Sequence, residues 1–93
     1  RNKDEFSLYR KEVPGYLFAN MTEFGNTPFI AAKEFSALGY NVVVFPVSLF
    51  RYHAGATGEF LAKLKEDGNQ EKLVSRMMSR SDINALLNYK PEK

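Results

Sequence analysis

The stretch Tyr16–Val47, YLFANMTEFGNTPFIAAKEFSALGYNVVVFPV, decides the fold. It opens with a short apolar run, YLFAN at residues 16–20, which reads as a buried strand. A polar loop, MTEFGN, leads to Thr27-Pro28, a helix start with a hydroxyl N-cap and a proline at the first helical position, where no N–H is needed. Phe29 to Leu38 is the expected helix, and Gly39 stands where a glycine releases the chain into the left-handed region. NVVVFPV follows. Three valines and a phenylalanine without polar alternation describe a strand at about residues 42–46, covered on both faces of a parallel sheet. Strand, helix and strand make a βαβ unit with a right-handed crossover.

Working outward, DEFSLYRK spaces Phe6 and Tyr9 for a short amphipathic helix from Asp4 to Lys11, ended by the Val13-Pro14-Gly15 turn. Downstream, a longer helix is expected from Ser48 to about Asp67, burying Phe50, Ala54, Leu61 and Leu64, with Gly68 as its stop. Asn69 would cap a helix in QEKLVSRMM. A final helix starts near Ser79, whose spacing to Asp82 suits a capping box, and runs through Ile83, Leu86 and Leu87. Two adjacent parallel strands leave both sheet edges unpaired, so more than this pair is needed for a stable sheet. A (β/α)8 barrel of about 250 residues and a small open α/β domain both satisfy the pattern. In the barrel, the chain would supply the last two strands with their helices, plus a C-terminal helical arm at about residues 69–89.

The 93 residues fit one small domain of ordinary globular composition, 44% hydrophobic and 26% charged, which argues against a disordered chain. A domain of this size buries only about 60 to 65% of its unfolded surface, so its stability is marginal. The first residue is Arg1, and the expectation is a cut or processed piece. No apolar run approaches the length that spans a bilayer, so no membrane partner is expected. The net charge is +2, with Lys and Arg interleaved among Asp and Glu, which argues against nucleic acid. There is no cysteine, so disulfides, thiolate metal sites and a cysteine nucleophile are excluded within these residues.

Ligands of parallel α/β proteins collect at the carboxyl ends of the strands, which directs attention to MTEFGN and PVSLFR. The first offers Asn20, Thr22 and Glu23, an amide, a hydroxyl and a carboxylate. An Asx-type turn serving its own backbone is the competing reading. In the second, a Ser48 N-cap would put Arg51 in the first helical turn, a cation at the positive end of the dipole. An anionic ligand would reverse that cost, because helix N–H groups and guanidinium would then hold the same carboxylate or phosphate; a solvent-facing arginine is the alternative. His53, the single histidine, has no partner residues for a metal site and reads as an ordinary surface or packed residue. Lys63, Lys65 and Lys72 among Glu59, Glu66 and Glu71 read as a solvated face. Arg76 and Arg80 share a helix face if the helix continues; a break at Ser79 would leave Arg80 free to face a site.

These residues carry a resemblance. VPGYLFANMTEFGNTP resembles the methylisocitrate lyase segment around its Asn-x-Thr-Glu-Phe-Gly motif, and FPVSLFR resembles the family's strand-to-helix segment of the type YPxSxxR. DGNQ and SRSDINALLNY resemble its later helix-ending and closing regions, in order, so the likeness covers essentially the whole chain. Isocitrate lyases proper carry a serine-proline-serine stretch where this sequence has none.

The resemblance implies the C-terminal part of a TIM barrel in the isocitrate lyase and phosphoenolpyruvate mutase superfamily. It further implies a magnesium-dependent lyase of propionate breakdown that splits 2-methylisocitrate into pyruvate and succinate. Carried over by position, Asn20, Met21 and Thr22 match the family's substrate-binding triplet, and Arg51 and Arg80 its two C-terminal substrate-binding arginines. Met21 would act through its backbone. The magnesium-binding aspartates and the catalytic-cysteine loop would precede Arg1, so the piece alone is expected to be inactive. A polycarboxylate substrate, a homotetramer with swapped C-terminal helices, and a cytoplasmic location (mitochondrial matrix in a eukaryote) are implied as well. A phosphonate-handling mutase of the same superfamily and a non-catalytic assembly module are the alternatives.

Overall fold

A computed structural model describes residues 2–92, which divide into two compact units, one ending at Ala54 and the other beginning at Gly55. In the first, α1 (Lys3–Glu12) begins at Asn2, whose side chain accepts the Glu5 N–H at 3.2 Å. Asp4 and Glu5 in its first turn and Arg10 and Lys11 in its last suit the helix dipole. The chain then forms β1 (Phe18–Asn20), α2 (Ala32–Ala37), β2 (Val42–Val44) and the start of α3 (Ser48–Asp67).

β1 and β2 are parallel neighbours, pairing Phe18 with Val42, Ala19 with Val43 and Asn20 with Val44. The ladder continues past both strand ends: the Met21 N–H donates to the Val44 carbonyl at 2.8 Å, and the Asn41 side-chain oxygen accepts the Leu17 N–H at 2.9 Å. The strand–helix–strand order is therefore as the sequence predicts, with both strands shorter than expected. Leu17, Ala19 and Met21 are buried, whereas Phe18 and Asn20 between them are exposed. In β2, for which covering on both faces is expected, Val42 is exposed and Val43 and Val44 are half-buried, so these residues alone do not cover both of its faces. α2 covers one face, and among the described residues the other remains open, with Phe18 58% and Val42 49% exposed.

The core lies on the covered face. Phe35 of α2 is fully buried, and it joins Leu17, Ala19, Met21, Ile30 and Tyr40, with Phe6 of α1 packed alongside. Phe6, Phe35 and Tyr40 stack edge to face with ring centroids 5.2 to 5.8 Å apart, the geometry the ring quadrupole favours. The Tyr40 hydroxyl donates to the Phe6 carbonyl at 3.0 Å, and burial pushes its pKa up.

The Thr27-Pro28 helix start is not used. α2 begins four residues later, where the Glu34 carboxylate accepts the Ala31 N–H at 3.2 Å and the Ala31 carbonyl receives the Glu34 and Phe35 N–H groups. Residues 28–31 stay out of the helix, and Ile30 is carried into the core with its N–H on the Met21 sulfur at 3.4 Å. Burial of Ile30 thus overrides a local capping signal. Gly39 ends the crossover with φ +92°, as expected. A Cβ there would lie 2.9 Å from the Arg10 side chain, whose guanidinium donates to the Gly15 and Gly39 carbonyls. Gly39→Ala is expected to cost about 1 to 3 kcal/mol, mostly from the left-handed backbone, measurable by urea unfolding.

In the second unit, a six-residue 3₁₀ helix (Glu71–Arg76) replaces the α-helix expected in QEKLVSRMM, opened by Asn69, whose side chain accepts the Glu71 N–H. Gly68, at φ +71°, ends α3 where predicted. α4 (Arg80–Leu86) is capped by the Ser79 hydroxyl, which accepts the Asp82 N–H at 3.1 Å. No residue of α3 is buried: Phe50 is 68% and Leu61 57% exposed, Ala54 is exposed and Leu64 half-buried. This corrects the expectation of a buried stripe. Helical spacing aligns apolar residues on one face, but another surface must cover them. Arg76 pairs with Glu59, and Lys72 reaches Asp67 at 3.5 Å, on the solvated face read from the sequence. No helix of the described residues is long and apolar enough to cross a membrane.

Candidate functional site

The loops that leave β1 and β2 at their carboxyl ends are tied together by one carboxylate. Glu23, three residues beyond the end of β1, accepts the Ser48 hydroxyl on one oxygen and the Arg51 guanidinium at 2.7 Å on the other. Beneath the same guanidinium lies the Phe24 ring, its centroid 5.6 Å from the guanidinium carbon. Hydrogen bonds from Ser48 and then from Arg51 hold the Glu23 carboxyl below its ordinary value.

This geometry alters two details of the site expected from the sequence. Ser48 is the first residue of α3, not its cap: the Arg51 N–H donates to the Val47 carbonyl at 2.8 Å, so Val47 opens the helix and the Ser48 hydroxyl is free to reach Glu23. The cation at the positive helix end is offset by an anion of the same chain, where the sequence reading offered an anionic ligand or a solvent-facing arginine. Both loops also carry backbone strain. Phe24 has φ +61° and Val47 φ +54°, and left-handed backbone at non-glycine residues costs about 1 to 3 kcal/mol and gathers at functional sites. Val47 is β-branched, which makes its conformation the rarer of the two.

Asn20 is exposed at the end of β1, and Thr22 is half-buried beside Glu23 in the chain. Met21 is buried, with its sulfur on the Ile30 N–H and its own N–H committed to Val44. Arg80 opens α4 in the second unit and is exposed, following the break that the sequence allowed between Arg76 and Arg80. The structure thus joins Glu23, Phe24, Ser48 and Arg51. Glu23 was read as one polar group of the loop, and its pairing with Arg51 was missed; a carboxylate and an arginine in successive strand-end loops were the available signal. Among the described residues, no group of three or more His, Cys, Asp or Glu comes together where it could hold a metal, so magnesium does not fit these residues.

The Glu23 clamp sets a pH window. Because the folded-state pKa is depressed, its contribution to stability is undiminished above the ordinary carboxylate value of 4.5, declines below it, and is gone once pH has fallen through the folded-state value. An NMR titration should show the Glu23 carboxyl carbon titrating below a reference peptide, with the Arg51 Nε–H signal moving in step.

The βαβ unit and its helices match solved structures of 2,3-dimethylmalate lyase, a PEP mutase/isocitrate lyase superfamily member. The triclinic form aligns with TM-score 0.69 at 24% identity over 94% of this chain and 29% of that one. The trigonal form aligns with TM-score 0.67 at 26% identity over 90% and 27%. The fold is therefore an α/β segment of the kind found in that superfamily. No protein-family model matches the chain. In sequence, the chain is 36% identical to 2-methylisocitrate lyase of Aeropyrum pernix over 92% of its length, and 41% identical to probable 2-methylisocitrate lyase 1 of Corynebacterium glutamicum over 91%. The Bacillus subtilis 2-methylisocitrate lyase is 34% identical over 94%. The resemblance read from NMTEFG and FPVSLFR accordingly holds, and this chain is a relative of the 2-methylisocitrate lyases. It spans 28%, 28% and 29% of the lengths of these three proteins.

Proposed function

We propose that the chain is the C-terminal part of a TIM-barrel carbon–carbon lyase and forms one side of a polycarboxylate site, with 2-methylisocitrate cleaved to pyruvate and succinate. The observation that supports it most is Arg51, fixed at the N-terminus of α3 beside the β1 loop, where guanidinium and helix N–H groups favour an anion. Asn20 and Thr22 would donate to substrate oxygens from the β1 end, with Met21 acting through its backbone. Cleaving the bond between the two products builds negative charge on an enolate-like succinate, and preorganised donors stabilise such charge. Magnesium would be held by residues other than those of this chain.

A second carboxylate substrate, 2,3-dimethylmalate, is favoured by similarity to the 2,3-dimethylmalate lyase of Eubacterium barkeri, 31% identical over 91% of this chain. The exposed Val74, Met77, Met78, Ile83, Leu86 and Leu87 of the second unit would pack on another subunit of a tetramer.

The test is replacement. The matched segment of Bacillus subtilis 2-methylisocitrate lyase, exchanged for these 93 residues, should leave an enzyme that turns over methylisocitrate in preference to dimethylmalate or a phosphonate. The 93-residue chain alone, assayed with magnesium, should show no turnover. A well-folded exchange protein without lyase activity would sink the reading.

A further inference from the structure

We infer that Glu23 is a positioning residue for Arg51, holding its guanidinium through one terminal nitrogen so that the remaining N–H donors meet a ligand carboxylate in a fixed orientation. The inference rests on the polycarboxylate reading above and adds a residue outside the substrate-binding set Asn20, Met21, Thr22, Arg51 and Arg80.

Glu23 is held from two sides, by the Ser48 hydroxyl on one carboxylate oxygen and by Arg51 on the other, 25 and 28 residues away in sequence. With both oxygens engaged, the carboxylate has no freedom to swing, and a guanidinium bonded to it loses most of its own. The Phe24 ring sits 5.6 Å from the guanidinium carbon and restricts it further. A guanidinium carries five N–H donors in a rigid fork, so the contact at 2.7 Å leaves donors for a second anion. The Arg51 side chain keeps 39% of its surface accessible, enough for that anion to approach. Strain at Phe24 and Val47 is placed where it serves this arrangement: each adjoins a residue of the clamp, Glu23 on one loop and Ser48 on the other.

The opposite role is physically distinct. Were Glu23 a stand-in anion that the ligand displaces, removing its charge would free Arg51 and tighten ligand binding. A positioning role demands the reverse sign, because the loss of a fixed donor orientation weakens binding.

The experiment titrates the 93-residue chain with tricarballylate, a tricarboxylate, and follows the Arg51 Nε–H and the Thr22 and Ser48 amides by NMR. Unchanged shifts of Leu17, Ala19 and Phe35 amides verify that each variant keeps its fold. The unsubstituted chain should bind, Arg51→Ala should abolish binding, and Glu23→Gln should raise Kd about tenfold. Ser48→Ala, which frees one carboxylate oxygen, should weaken binding in the same direction by a smaller factor. Adding Glu23→Gln to Arg51→Ala should cause no further loss. Unchanged or tighter binding by Glu23→Gln, with binding still lost in Arg51→Ala, would overturn the positioning role and leave the polycarboxylate site standing. Binding unaffected by Arg51→Ala, or absent from the unsubstituted chain, would overturn both.

Discussion

Phe35→Ala should unfold the first unit at room temperature. Among the described residues of the core, Phe35 alone has no accessible surface, and its ring is shared edge to face by Phe6 of α1 and Tyr40 ahead of β2. Replacing a buried phenylalanine by alanine removes its transfer free energy and leaves a cavity, together about 3 to 5 kcal/mol. The collapse that would relieve such a cavity requires α1, α2 and the β1 face to move together, and Tyr40 is held by its hydroxyl on the Phe6 carbonyl. A small domain has on the order of 5 kcal/mol in total, so the loss consumes most of it. Urea unfolding followed by near-ultraviolet circular dichroism of the tyrosines should lose its cooperative transition. Phe18→Ala, an exposed aromatic on the uncovered sheet face, should change stability by no more than about 1 kcal/mol. Equal effects at Phe18 and Phe35 would refute the placement of the core.

Arg51→Ala in the exchange enzyme should lower kcat/KM for methylisocitrate by about 100-fold or more. The guanidinium stands at the positive end of α3 with its backbone N–H on Val47 and its side chain on Glu23, so both the charge and its direction are set before a ligand arrives. Removing it deletes a charged donor pair and leaves the Glu23 carboxylate facing the site, a like charge for a polycarboxylate. Arg51→Lys should recover only part of the loss, because an ammonium keeps the charge without the planar fork. Arg76→Ala is the control: Arg76 pairs with Glu59 in the second unit, and its loss should leave kcat/KM within about threefold, as expected for an exposed ion pair. An Arg51→Ala enzyme as active as its parent would remove the chemical basis of the site.

How far such a site is legible in sequence depends on the distance over which each signal acts. The capping of α4 by Ser79 and the left-handed stops at Gly39 and Gly68 involve neighbours within a turn, and all three were legible. The start of α2 was equally local in its signals yet misread. Thr27-Pro28 is a sound capping sequence, but Ile30, two residues on, is claimed by the core between Met21 and Phe35, and its burial outweighs one capping hydrogen bond. Glu23 was visible as a polar residue in a strand-end loop, while its role was not, because its partners lie 25 and 28 residues along the chain. Nothing in the residue types Phe24 and Val47 announces positive φ, since both favour extended backbone.

The order of elements in this chain and its crossover glycine follow from hydrophobic period and turn residues alone, because those forces act between near neighbours. Which face of the sheet is covered, where α2 begins and which anion Arg51 meets were decided only in three dimensions. They depend on groups brought together by the parallel pairing of β1 with β2, and no spacing along the chain encodes the energy of such a contact.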